Sequence, residues 1–169
     1  VAHAGDDLAE EVRHQAKRLI LDTIGCAYGG LDSRPADIVR RVVASLGGRP
    51  EATIIGSAEK TTAPLATWAN GTMIRYLNAN DYYFGRDGSH ASGNLAAVLA
   101  MCERQKLGGR DLILGLVAAY EVQLRFCDAA GQPRIWDRGW HNCTNMQFSS
   151  AAAAARLMGL DETAIANAI

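Results

Sequence analysis

Leu112-Ile113-Leu114-Gly115-Leu116-Val117-Ala118-Ala119-Tyr120 is apolar on almost every side of the helix that its residues favour. A helix without a polar face needs neighbours on several sides, so this stretch predicts a helical bundle with itself at the centre. Asp111 opens it, and Gly108-Gly109 end the helix before it, whose apolar positions are Leu95, Val98, Leu99 and Cys102. Downstream, Phe148 and the run Ala151 to Ala155 predict another helix, since alanine has the highest helix propensity and permits close packing. A last amphipathic pattern covers Asp161 to Ile169.

The N-terminal half repeats this periodicity. From Asp7 to Ala27, Leu8, Val12, Ala16, Leu19 and Cys26 recur at helical spacing, while Glu10, Glu11, Arg13 and Lys17 face away. Gly29-Gly30 ends that helix, where a positive φ carries no Cβ penalty. Ser33 and Pro35 then start a second helix, whose expected buried stripe is Ile38, Val42, Val43 and Leu46. Ala52-Thr53-Ile54-Ile55-Gly56 is a short β-branched run, expected to be a lone extended segment. Pro64 opens a helix through Trp68, Met73, Ile74 and Leu77. The reading is an all-α bundle of about six to seven helices with one short extended segment. It forms one helical domain over 1–169, expected to be a fragment of a longer two-domain enzyme.

Bulk properties exclude several functions. The 169 residues carry a formal charge of -1 at pH 7, with no basic excess for a nucleic acid or an anionic membrane surface. No apolar stretch reaches a membrane span and no signal segment opens the chain, so a cytoplasmic location is expected. Cys26, Cys102, Cys127 and Cys143 form no C-x-x-C pair and read as reduced, buried thiols. There is no H-E-x-x-H, phosphate loop or nucleophile elbow, and no metal or cofactor is expected.

Two polar loops interrupt the helices, neither with a hairpin pattern. The first, Asn78 to Ser89, leads to His90 and carries Asn78, Asn80, Asp81 and Asp87; the second, Ala130 to Asn145, carries Asp137 and His141. Loops on a rigid helical scaffold commonly hold functional groups, and solvent exposure alone also explains polar residues there. Ser89-His90-Ala91-Ser92-Gly93-Asn94 places His90 at a helix N-terminus, whose positive end favours the neutral imidazole, the form that accepts a proton. A capping histidine without catalytic duty fits the same pattern.

Leu21-Asp22-Thr23-Ile24-Gly25-Cys26, Ala52 to Gly56, Ala69-Asn70-Gly71, Tyr76-Leu77-Asn78-Ala79-Asn80-Asp81 and Ser89 to Asn94 are followed by Gly109-Arg110-Asp111-Leu112, Tyr120-Glu121-Val122 and Gly139-Trp140-His141. In this order and spacing they resemble the N-terminal landmarks of the MmgE/PrpD, or 2-methylcitrate dehydratase, family. The resemblance implies the helical part of a metal-independent, homodimeric lyase whose active site lies between this part and a smaller lid domain. It further implies a di- or tricarboxylate substrate, with dehydration or decarboxylation by acid/base elimination. His90 and His141 would be the acid/base pair and Asp81 would orient an imidazole or a substrate hydroxyl. Asn78, Tyr82 and Arg86 would contact substrate, with Arg75 a further candidate for its carboxylates.

Where the family commonly reads Leu-Asp-Phe-Asn-Asp-Thr, this chain has Leu77-Asn78-Ala79-Asn80-Asp81-Tyr82, and the usual His-Pro-Ser is His90-Ala91-Ser92. Asn78 can hydrogen-bond but cannot serve as a base. The second histidine aligns on either His141 or Asn142. An epimerase acting on a dicarboxylate with the same two groups, and a non-catalytic dimerisation module, are the alternative functions.

Overall fold

The computed structural model describes residues 8–130, 133–141 and 143–169. Asp7 and Asn142, both named above, lie outside them. Seven α-helices make up most of the described chain: α1 (Glu10–Gly29), α2 (Arg34–Leu46), α3 (Ala63–Tyr76), α4 (Leu95–Gln105), α5 (Gly109–Ala129), α6 (Cys143–Leu157) and α7 (Glu162–Ala168). The all-α reading holds. Helix α5 lies against α6, α4 and α1, the several-sided burial that its apolar sequence demands, while α3 packs on α4, α1 and α2.

Two alanine-rich layers form the core. One joins Leu95, Val98, Met101 and Cys102 of α4 to Leu116 and Ala119 of α5 and to Ala153 and Leu157 of α6. The other joins Val39 and Val43 of α2 to Ala69, Met73 and Ile74 of α3, with Ile54 and Ala27. Small residues at these contacts let helix backbones approach closely, so each methyl group is felt.

Several local expectations are corrected. On α2, Ala36, Val39 and Val43 face the core, whereas Ile38, Val42 and Leu46 are exposed. The helix has enough apolar positions for two stripes, and the alanine at 36 is what α3 accommodates. Gly30 has φ -91°, so positive φ is not its reason. A Cβ there would collide with the carbonyl of Met73, so Gly30 lets the end of α1 meet the backbone of α3. Helix α4 ends on Lys106 in the left-handed region, ahead of the glycines, and the Asp111 carboxylate accepts from the Gly108 N–H at 3.1 Å at the head of α5. Cys143 is exposed, unlike Cys26, Cys102 and Cys127.

The extended run is not alone: β1 (Ala52–Thr53) pairs antiparallel with β2 (Lys60–Thr61). Side chains from neighbouring helices hold it. Buried Asn70 accepts from the Ile55 N–H at 2.9 Å and donates to the Thr53 carbonyl at 3.0 Å, and Glu103 accepts from both the N–H and the hydroxyl of Thr53. Likewise the first polar loop contains an antiparallel pair, β3 (Tyr83–Phe84) with β4 (Gly88–Ser89). Two-residue strands leave too little alternation for the sequence to show.

Burial pushes the Cys102 thiol up from 9.0 to about 11. Above pH 9 the unfolded thiol ionises first, so the stability that Cys102 contributes is complete below that range and is lost as pH rises through about 11. Urea unfolding at neutral pH and near pH 10.5 is expected to show a fall larger by on the order of 2 kcal/mol in the wild type than in Cys102→Ala. Equal falls would show that the thiol ionises as easily folded as unfolded.

Candidate active site

The loop after α3 is assembled by polar contacts that begin inside the helix. Arg75 donates to Asn80 Oδ1 at 2.5 Å and Asn80 donates back to the Ile74 carbonyl at 3.1 Å, folding the chain against the end of α3. Asn78 takes the turn with φ +53°, a conformation that asparagine tolerates better than most residues. Cys26 donates weakly to the Ala79 carbonyl at 3.8 Å, tying the loop to α1. These contacts fold the loop so that Asp81 meets Ser92 and Tyr120.

Asp81 is half-buried, and each of its oxygens has a different partner. Oδ1 accepts from the Ser92 N–H at 3.1 Å, Oδ2 accepts from the Tyr120 hydroxyl at 2.8 Å, and the backbone carbonyl lies 2.6 Å from His90 Nδ1. A carbonyl can only accept, so His90 Nδ1 carries a proton, and in the neutral imidazole the lone pair is on Nε2. His90 is half-buried at the N-cap of a 3-10 turn, Ala91–Asn94, that runs into α4. Tyr82 meets its ring edge-on, with centroids 4.9 Å apart, and Phe84 lies 4.5 Å beyond Tyr82. Asn94 precedes α4 without capping it through its side chain, which turns inward instead.

The structure thus brings Asp81, Tyr82 and His90 together. Asn78 and Arg86 are exposed, Arg86 on the turn between β3 and β4. His141 is exposed just before α6, where its Nδ1 accepts from the Cys143 N–H at 3.2 Å and its ring meets Trp136 edge-on at 4.6 Å. The first turn of α6 reaches the His90 turn through Met146, whose thioether occupies the space where a Cβ on Gly93 would stand. Among the described residues no group of three or more His, Cys, Asp or Glu is placed to hold a metal ion. Two buried oxygens in this region have no protein partner, Asp87 Oδ2 and Ser92 Oγ.

Tyr120 is the residue that sequence reasoning missed. It closes the apolar run of α5 and reads there as one more core position, and only the tertiary contact gives its hydroxyl a purpose. Burial, with the neighbouring Asp81 carboxylate, pushes its phenol far up, so it is a fixed donor to Asp81. Tyr120→Phe leaves Asp81 Oδ2 short of a donor and is expected to cost about 1.5 to 3 kcal/mol in urea unfolding. Tyr83→Phe, which removes an exposed bond to Asp128 of similar length, is the control expected to leave stability unchanged. Equal effects would mean that Asp81 is satisfied by solvent.

The helical scaffold thus sets the His90 ring, held through Nδ1, beside a carboxylate that two protein donors hold. Residues 1–169 match the MmgE/PrpD N-terminal domain, and the chain belongs to the MmgE/PrpD family. It is 29% identical to the cis-aconitate decarboxylase of Aspergillus terreus, the match covering 98% of this chain and 35% of that protein. The human cis-aconitate decarboxylase is 27% identical, over 92% of this chain and 34% of its own. The 2-methylcitrate dehydratase of Cupriavidus necator is 26% identical, over 91% and 34% respectively. The chain spans about a third of the length of these relatives. No helix among the described residues is long and apolar enough to cross a membrane.

Proposed function

We propose that this chain is the helical domain of a longer, two-part lyase that eliminates water or carbon dioxide from a di- or tricarboxylate. The observation that carries the reading is the bond between His90 Nδ1 and the Asp81 carbonyl, which leaves Nε2 as a proton acceptor on a rigidly held ring. In a dehydration, His90 Nε2 takes the proton from a carbon beside a carboxylate, whose electron pair forms the double bond. The hydroxyl on the next carbon then leaves and takes a proton from an acid, giving water. His141 is that acid in our reading, giving up a ring proton as imidazolium and ending as the neutral imidazole.

Asp81 holds the base in place, and Asn78, Tyr82 and Arg86 are the proposed contacts to substrate. The arginine supplies a planar, two-pronged donor suited to a carboxylate. Asn78 replaces an acid and Tyr82 a threonine in the family pattern, so we assign this protein a carboxylate other than 2-methylcitrate. The relatives named as dehydratases and decarboxylases support the reaction class. A homodimer and a cytoplasmic location complete the proposal.

The test is the full-length protein on 2-methylcitrate, citrate, cis-aconitate and smaller dicarboxylates, followed by the ultraviolet absorbance of the unsaturated product, with His141→Ala alongside. Activity on one of these other than 2-methylcitrate, lost in His141→Ala, is the expected result. Efficient 2-methylcitrate dehydration would refute the substrate assignment, and full activity in the variant would move the acid elsewhere. Uptake of solvent deuterium without net elimination would make the protein an epimerase.

A further inference from the structure

Beside His90 lies a polar cluster whose hydrogen bonds do not reach the imidazole. Gln123 of α5 and Asn94 at the head of α4 are both completely buried. Asn94 Nδ2 donates to the Ala91 carbonyl at 2.9 Å and to Gln123 Oε1 at 2.5 Å, while its Oδ1 accepts from the hydroxyls of Ser149 and Ser150, both at 2.8 Å. Gln123 Nε2 donates to Ser89 Oγ at 2.5 Å. The directions are set from one end. The Ala91 carbonyl can only accept, so the amide group of Asn94 must face it, which turns Gln123 Oε1 toward Asn94 and its Nε2 toward Ser89.

Ser89 and Ala91 are the residues on either side of His90. The cluster therefore holds the Ser89 side chain before the histidine and the Ala91 carbonyl after it, while the Asp81 carbonyl meets the ring itself. Through Ser149 and Ser150 it also ties that segment to α6, the helix that begins beyond His141. Of its five polar side chains, Ser89, Asn94, Gln123 and Ser149 are buried, which is costly unless they are fully bonded, and the bonds run toward the His90 segment or its supports.

We propose that Gln123, acting with Asn94, is a positioning residue for His90: together they hold the Ser89 hydroxyl and the Ala91 carbonyl on either side of the histidine so that Nδ1 stays on the Asp81 carbonyl and Nε2 stays free. This rests on the reading of His90 as the base. Gln123→Met keeps the volume and removes both the donor and the acceptor. Gln123→Glu keeps the acceptor, and the Ser89 hydroxyl can turn to donate to it.

The primary readout is the ¹⁵N spectrum of the His90 ring in the full-length protein, which reports the tautomer without any substrate. Wild type and Gln123→Glu are expected to show one Nδ1–H tautomer, and Gln123→Met a mixture of both. In the same proteins kcat is expected to fall about 10- to 100-fold in Gln123→Met, with KM changing less than about threefold, since misplacing a base without touching substrate binding acts on the chemical step. A folded Gln123→Met with the wild-type tautomer overturns the proposal. If that variant does not fold, Ser89→Ala, which removes one bond of the clamp, carries the test: a mixed tautomer supports the proposal and an unchanged one overturns it. A tautomer shift in a protein inactive on every carboxylate would sink the lyase reading and leave the positioning role standing.

Discussion

His90→Ala in the full-length protein will lower kcat on its carboxylate substrate by about 10² to 10⁴, the usual contribution of one positioned acid or base, and will change KM little. The size follows from geometry. The ring is held by the Asp81 carbonyl at 2.6 Å and packs against Tyr82, so in the proposed reaction its Nε2 would need no search for orientation. A water filling the vacated space would be a weaker and less localised base. His90→Gln is the sharper variant, because its amide can still donate to the Asp81 carbonyl and preserve the loop while having no basic nitrogen. Steady-state kinetics on both variants, with circular dichroism to confirm folding, decide the matter. Activity within about threefold of wild type in His90→Gln would place the base elsewhere.

The largest effect on stability is expected at a glycine. Gly30→Ala puts a methyl group into the carbonyl of Met73 and 3.0 Å from its carbonyl carbon, and both belong to the backbone of α3. A side chain could rotate away, but the backbone of a buried helix cannot, so α1 and α3 must separate and the layer around Met73 and Ile74 loosens. A cost of about 3 kcal/mol is expected, at the upper end for overpacking. Gly25→Ala is the matched control. It lies inside α1 with nothing within 4 Å of the added atom, and alanine there should stabilise by about 0.5 to 1 kcal/mol because the unfolded chain loses freedom. Urea unfolding of both should give opposite signs. Two destabilisations of equal size would mean that helix α1 resists any added methyl group and that the contact with α3 is not special.

The exposed row Ile38, Val42 and Leu46 shows how far periodicity can be trusted. The spacing identified α2 correctly as an amphipathic helix, yet two apolar rows compete on its surface, and periodicity cannot say which one meets α3. The row with Ala36 packs inward because a small residue lets the helices close. His90 at a helix N-terminus and Asp81 in a polar loop were both legible, since capping patterns and loop composition are local signals. Tyr120 was not, since a tyrosine at the end of an apolar run gives no sign that its hydroxyl will find a carboxylate 39 positions away. Gln123 was equally silent: one amide in a long helix becomes informative only when Ser89, Asn94 and Ser149 are seen around it.

By itself, then, the sequence determined the helices, the central place of α5, the two polar loops and the likeness to the MmgE/PrpD family, because each depends on patterns of residues within one helix or on the order of short motifs. Only the tertiary structure decided which helix faces are buried, that the Asp81 carbonyl rather than its carboxylate meets His90, and which buried amides hold the residues on either side of the histidine. Those are contacts between groups far apart in the chain, with distances set by how closely α1, α3, α4, α5 and α6 pack, and no local pattern encodes them.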